Sequence, residues 1–324
     1  MSVRVLAPGL QATVQDGGRH GFRHLGVGTA GALDPYSHAV ANLLVGNPVD
    51  APVLEAALAG PSLRFERPAR IALCGATVDA RVGDVPVPGW RPVDLPAGSE
   101  LHVGRCREGA RIYLAVAGGW SVPKLLGSGS TDLRGGFGGM RGRALASGDV
   151  LPVARTAEPT CDALRLARWW IDPAPDLAFT TAAIVRILSG HDMTDPGDAL
   201  YATPWRVAAA SDRQGLRLEG AALALDPASS RVSERVSEPV APGTVQLPAG
   251  GQPIVLLADA QTHGGYPRIG HAIASDLPRL AQLRPGDTVR FAPCTPLEAA
   301  RLRREQASRL ARIALAVGAR QWGA

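Results

Sequence analysis

The sequence predicts a mainly β protein built as two lobes, and three observations carry that prediction. At 324 residues the chain is long enough for two hydrophobic cores. Its 38 glycines and 27 prolines provide turns in a number that suits short strands better than long helices. Two stretches break into short, often alternating apolar runs, punctuated by Gly, Pro or Asp at intervals of about ten residues, the spacing of a sandwich or barrel. Aromatic residues make up only 5% of the chain, so its cores must be assembled mainly from Val, Leu, Ile and Ala.

The opening "VRVLAPGLQATVQDGGRHGFRHLGVGTAGAL" reads as a strand followed by a long glycine-punctuated loop. The next segment, "DPYSHAVANLLVGNP", carries helix punctuation. Asp34 is the N-cap, Pro35 the first helical residue, Gly46 the stop, and Pro48 prevents continuation. Short β runs then extend to "RALASGDVLPV", completing an N-terminal β lobe over 1–153. Residues 154–183 read as a polar connector with one amphipathic piece near "CDALRLARWWI". A second β lobe follows over 184–294, and a C-terminal helix over 295–324, where Thr295, Pro296 and Glu298 form a capping box. Arg301, Arg303, Arg304, Arg309 and Arg312 are expected to form a solvated face of that helix. The segments "GRALASGDVLPV" (142–153) and "LAQLRPGDTVRF" (280–291) rhyme, which hints at duplication.

Net charge is +5, and almost all the basic residues are arginines, with Lys124 the only lysine. The arginines are scattered with few aromatics among them, so nucleic-acid binding is not expected. No Gly-Lys-Ser/Thr sequence exists to neutralise nucleotide phosphates, and no biotinyl-lysine segment is present. The spacing of His20 and His24 lies in a glycine-rich context with no further ligand, so no metal is expected. A Gly-x-Ser-x-Gly elbow is also lacking. The four cysteines show no CxxC spacing, no signal-peptide pattern opens the chain, and no apolar segment approaches the ~18 residues of a membrane span. The expectation is a cytoplasmic protein, away from membranes.

Three polar clusters remain. The first is "TVQDGGRHGFRHLGVGTAGALD". The second, "GSGSTDLRGGFGGMRGR", has glycines that allow backbone N–H groups to converge on an anion. The third pairs "SDRQGLRLEG" with "QTHGGYPRIG". Each can equally be a glycine-rich turn whose polar groups cap backbone; Asp212 and Arg213 could be an ion pair that orders such a turn. The residues alone describe a two-lobed β protein with a polar, glycine-walled cleft.

In this order, those clusters, with "ANLLVGNP", "LEAALAGPSLRF", "YLAVAGG", "VSEPVAPGTVQLP" and "GQPIVLLADA", resemble the biotin-dependent carboxyltransferase-like family over about residues 3 to 292. The family is also known as allophanate hydrolase subunit 2 or Kip-type. The resemblance implies two cyclophilin-like β-barrel lobes and a site completed by a subunit 1 (KipI-like) partner. Stand-alone bacterial members are similar to the C component of the ATP-dependent 5-oxoprolinase, which opens 5-oxoproline to glutamate together with the A and B components. The implied activity is that of a hydrolase component that opens a cyclic amide and is inactive alone, with ATP used by the hetero-oligomeric complex and no cofactor bound by this chain. The alternatives are a carboxyltransferase component of a urea carboxylase/allophanate hydrolase system, with biotin on another chain, or a regulatory protein that sequesters its KipI-like partner.

Matched by motif, Asp16 and Arg19 fall in the family's Gln-Asp-x-Gly-Arg block and Arg134 in its Ser-Thr-x-x-Arg-Gly block. Asp212 and Arg213 match its Ser-Asp-Arg block, and Gln261, Gly264, Gly265 and Tyr266 its Gln-Thr-x-Gly-Gly-Tyr block, with His263 at a position where threonine is common. These ten residues are the expected substrate-binding set; none is assigned an acid or base role. Gln214 and Leu216 stand where the family often has Met and Tyr.

Overall fold

The computed structural model describes residues 2–154, 159, 161–177, 179, 181–189, 195, 197–224 and 236–321. They form two units, Met1–Arg19 with Ala30–Phe179 and Ala307–Ala324, and His20–Thr29 with Thr180–Gln306.

Among the described residues the first unit holds twelve strands. They are β1 (Ser2–Ala7), β2 (Gln11–Gln15), β3 (Val53–Ala57), β4 (Ser62–Phe65), β5 (Ala69–Val78) and β6 (Arg81–Val82). Then come β7 (Val85–Pro86), β8 (Pro92–Leu95), β9 (Ser99–His102), β10 (Cys106–Val116), β11 (Val150–Pro152) and β12 (Arg165–Leu166). They make two six-stranded sheets, ordered β11-β1-β4-β9-β6-β7 and β12-β8-β5-β10-β3-β2. Val3, Val5, Leu63, Phe65 and Leu101 of one sheet share a core with Val14, Ile71, Leu73, Ile112 and Leu114 of the other. The far face of the second sheet is buried as well. There Ala72, Cys74, Tyr113 and Ala115 meet Val40 and Leu44 of helix α1 (Pro35–Leu44) and Val317 of the C-terminal helix. Burial on both faces is why Ile71–Ala76 of β5 and Ile112–Val116 of β10 are continuous buried runs, without the clean alternation of β4.

Helix α1 follows its punctuation. Asp34 caps it by accepting from the Ser37 N–H at 2.9 Å, Pro35 is its first residue, and Gly46 follows its last turn with φ +79°. The segment expected as a connector supplies β12, which joins the edge of the second sheet. Residues 155–158, 160, 178 and 180 of that segment lie outside the described residues.

The second unit is a closed barrel with a small outlying ribbon. Its strands are β13 (Ala182–Leu188), β14 (Trp205–Val207), β15 (Gly215–Glu219), β16 (Glu238–Pro239) and β17 (Thr244–Gln246). They continue as β18 (Ile254–Leu256), β19 (His263–Gly264), β20 (Arg268–Ala272) and β21 (Thr288–Cys294). The barrel order is β13-β20-β17-β18-β15-β14-β21, and β16 and β19 form a two-stranded sheet. Closure comes from a parallel β13–β21 pair in register from Ala182↔Thr288 to Leu188↔Cys294. Val185, Ile187, Trp205, Val245, Val255, Ile269, Val289 and Phe291 are all buried. Two short helices, α2 (Ala199–Ala202) and α3 (Leu277–Ala281), lie within the same unit.

Helix α4 (Pro296–Gln321) starts where predicted, with Thr295 Oγ1 accepting from the Glu298 N–H at 3.2 Å. Its arginines are not a uniform solvated face. Arg301 pairs with Glu305 one turn on, while Arg309 forks onto the buried carboxylate of Asp176. No helix among the described residues is long and apolar enough to cross a membrane.

The rhyming segments prove to be the same turn. Gly148 and Gly286 adopt φ +86° and +93°. Each donates its N–H at 2.8 Å to a valine carbonyl, of Val5 and Val207 respectively. Each following aspartate accepts from the backbone N–H three residues before it, Asp149 from Ala146 at 2.7 Å and Asp287 from Arg284 at 2.8 Å.

Candidate functional site

The expected residues divide between the units: Asp16, Arg19 and Arg134 in the first, the other seven in the second.

In the first unit Asp16 follows β2, and its carboxylate is the hub of the loop Ser128–Gly129–Ser130. Oδ1 accepts from both serine hydroxyls at 2.6 Å and from the Gly18 N–H at 2.9 Å, and Oδ2 from the Gly129 N–H at 2.6 Å. Burial alone would raise the pKa of this carboxyl. The four hydrogen bonds outweigh it and hold the pKa below the ordinary aspartate value. Arg19 is fully buried, donating to the carbonyls of Leu125 (3.1 Å) and Ser130 (2.8 Å) with its guanidinium 4.7 Å from the centre of the Phe137 ring. Gly138 passes so close that a Cβ there would lie 2.1 Å from the Ser130 carbonyl oxygen, so the glycine is a packing requirement. Asp16 and Arg19 therefore hold the glycine-rich loop in shape from beneath. Arg134 is different. It sits exposed at the tip of a turn closed by Asp132, whose carboxylate takes the N–H groups of Arg134 (3.1 Å) and Gly135 (2.7 Å).

In the second unit Arg213 is 4% exposed and forms a two-point ion pair with Asp259, at 2.8 Å on both oxygens. Asp212 is not its partner. The Asp212 carboxylate instead accepts from the N–H groups of Gln214 (2.8 Å) and Gly215 (3.2 Å), an Asx turn that leads into β15. Asp259 lies two residues before Gln261, so the Arg213 pair fixes the entry to the decapeptide "QTHGGYPRIG".

That decapeptide begins with Gln261, whose Nε2 donates at 3.3 Å to Oε1 of Gln246. Gln246 lies in β17 with 1% of its surface exposed, and its Nε2 has no hydrogen-bond partner among the described residues. Gly264 passes over this amide, and a Cβ at 264 would be 2.5 Å from Gln246 Nε2. Gly264 thus marks a close backbone approach. Across the β16–β19 ribbon, Glu238 pairs with Gly264 and also binds Arg268 at 2.8 Å. Arg23, from the loop between β2 and α1, donates to the carbonyls of Val240 and Gln261 and to the Thr29 hydroxyl. Burial lowers the pKa of its guanidinium from the ordinary value. With these contacts made, His263 and Tyr266 are the exposed side chains of the motif, Tyr266 at 48%, and Gln261 is half-buried.

Sequence reasoning missed Gln246, Asp259 and Arg23. All three lie inside quoted motifs, but only the fold pairs them with residues 15 to 238 positions away. Among the described residues, no group of three or more His, Cys, Asp or Glu side chains is placed to hold a metal ion.

Comparison with known proteins gives a consistent result. The model of the carboxyltransferase domain, subdomains A and B, matches residues 25–293. The chain is 40% identical over 313 residues to the C component of 5-oxoprolinase from Escherichia coli strain K12, covering 94% of this chain and 95% of that protein. It is 36% identical to the Haemophilus influenzae protein of the same name, covering 91% and 92%. Among solved structures, the K. lactis urea amidolyase superposes with a TM-score of 0.86 at 29% identity, over 96% of this chain and 20% of that one.

Proposed function

The chain belongs to the carboxyltransferase family, subdomains A and B, and from that premise we propose that it is the C component of an ATP-dependent 5-oxoprolinase, which converts 5-oxoproline to glutamate. The observation that carries this reading is the 40% identity that runs nearly end to end with the Escherichia coli C component. On this reading the chain works in a complex with an A component and a KipI-like B component. The complex consumes ATP, and the chain alone is inactive.

The exposed part of the 261–270 motif supplies the contacts such a substrate needs. Gln261 spends its Nε2 donor on Gln246, which leaves its side-chain carbonyl to accept from a lactam N–H. The Tyr266 hydroxyl makes no side-chain hydrogen bond among the described residues and can donate toward an amide or carboxylate oxygen, and an oriented donor at a developing oxyanion is the kind of contact that lowers an acyl-transfer barrier. Arg213 and Asp259 contribute by positioning. Their ion pair is spent within the barrel and holds the chain that leads into Gln261.

The test is ATP-dependent release of glutamate from 5-oxoproline by the cognate A and B components, with and without this chain. Activity that requires all three chains supports the assignment. A stable complex that releases no glutamate overturns it and favours the second reading, a carboxyltransferase component acting with biotin on another chain, for which the superposition on K. lactis urea amidolyase speaks.

A further inference from the structure

The first unit contains a polar concavity that includes none of the ten expected site residues. A cavity of about 430 Å³ opens beside the β12 edge of the second sheet, with Arg70, Asp94, Arg165, Leu166, Trp169 and Arg320 in its lining. That volume lies within the ~300–1,000 Å³ typical of small-molecule sites.

Its charges are arranged by sheet register. Arg70 of β5 stands opposite Asp94 of β8, and Asp94 stands opposite Arg165 of β12. Directly opposed residues project to one face of a sheet, so the three form a plus–minus–plus row. Asp94 is already engaged: both its oxygens take the Arg70 fork, at 2.7 and 3.1 Å. Arg165 makes no side-chain hydrogen bond or ion pair among the described residues. A second guanidinium arrives on α4, where Arg320 lies 5.0 Å from the centre of the Trp169 ring. This stacking orients Arg320 without neutralising it. With Arg70 and Asp94 cancelling, Arg165 and Arg320 leave two positive charges with no carboxylate partner among the described residues in one concave site, next to an apolar wall of Leu166 and Trp169.

Each guanidinium presents a planar fork matched to carboxylate or phosphate oxygens. We propose that this cavity is a binding site for a small organic dianion, a dicarboxylate or a phosphomonoester, with Arg165 and Arg320 as its two forks and the Trp169 indole as the platform that holds one of them. The site is independent of the 5-oxoprolinase assignment, and binding is its readout, so the two ideas can fail separately.

The test uses the full chain at low ionic strength, titrated calorimetrically with glutarate and, separately, with inorganic phosphate. Saturable binding of one ligand per chain is expected from at least one probe, and the stronger of the two identifies the anion class. Arg165→Gln and Arg320→Gln should each weaken that binding by about tenfold or more, the loss expected for a charge-assisted hydrogen bond. Trp169→Leu should weaken it by releasing Arg320. Arg165 and Arg320 are both exposed, and unchanged melting temperatures would show that each variant is folded. No saturable binding of either probe, equal binding by the arginine variants, or heats matched by chloride at the same ionic strength would overturn the proposal.

Discussion

Replacing Arg213 by alanine is the obvious way to ask whether a motif arginine touches substrate, yet the structure predicts that this substitution reports mainly on folding. Arg213 and Asp259 are 4% and 7% exposed and joined at two points, 2.8 Å each. With charge centres about 4 Å apart and an effective dielectric of ~20, their attraction is about 4 kcal/mol. Arg213→Ala removes that attraction and leaves the Asp259 carboxylate buried without its counter-charge, a loss of roughly 3–5 kcal/mol. Asp259→Ala should cost a similar amount. The double substitution Arg213→Met with Asp259→Leu should recover most of it, because similar-sized apolar side chains remove both buried charges together. Urea unfolding gives the free energies, and hydrogen exchange localises them: both single variants should speed exchange in β15 and in residues 257–261. A single-variant loss below about 1 kcal/mol, or a double loss equal to the sum of the two, would refute the reasoning. In that event Arg213 would again be a candidate for direct contact with substrate.

Other outcomes follow from the same geometry. Gly264→Ala drives a methyl group against Gln246 Nε2, 2.5 Å away, and should destabilise the barrel by roughly 1–3 kcal/mol; adding Gln246→Ala should relieve most of that loss in thermal melts. Asp16 has a folded pKa below its unfolded value of ~3.9, so its contribution is fully present above that value and lost as pH falls through the folded pKa; Asp16→Asn should lower stability at neutral pH and flatten the acid limb of a stability–pH curve. His38 is buried, and that burial holds its folded pKa below ~6.5, so its contribution is present above that value and declines as pH falls through the window between the unfolded and folded pKa; His38→Gln should remove this slope. Gly148→Ala and Gly286→Ala add a methyl into open space at φ +86° and +93°, so each should cost about 1–2 kcal/mol by backbone strain alone, and the two values should agree.

What the sequence made legible was whatever is encoded locally. Asp34, Pro35 and Gly46 bound α1 because capping is decided within a few residues. The paired Gly-Asp turns were visible because a positive φ followed by a short acceptor side chain leaves a four-residue signature. What stayed hidden was pairing over distance. Asp212 adjoins Arg213 in sequence, but its carboxylate is taken up by the turn's own N–H groups, and Arg213 meets Asp259, 46 residues on. Likewise β12 looked like linker because two residues of a sheet edge carry no period to detect.

One contact fixes a timetable for biosynthesis. Arg23 is made in the first tenth of the chain, but the carbonyls it serves belong to Val240 and Gln261, 217 and 238 residues later. At the usual ~5–20 residues per second of translation, the loop bearing Arg23 waits on the order of ten to fifty seconds for its partners to be made. The barrel's own seam needs β21, so residues 20–29 cannot dock on a closed barrel until about residue 294 has left the ribosome. Any factor that shields this glycine-rich loop during synthesis would therefore have to release it last.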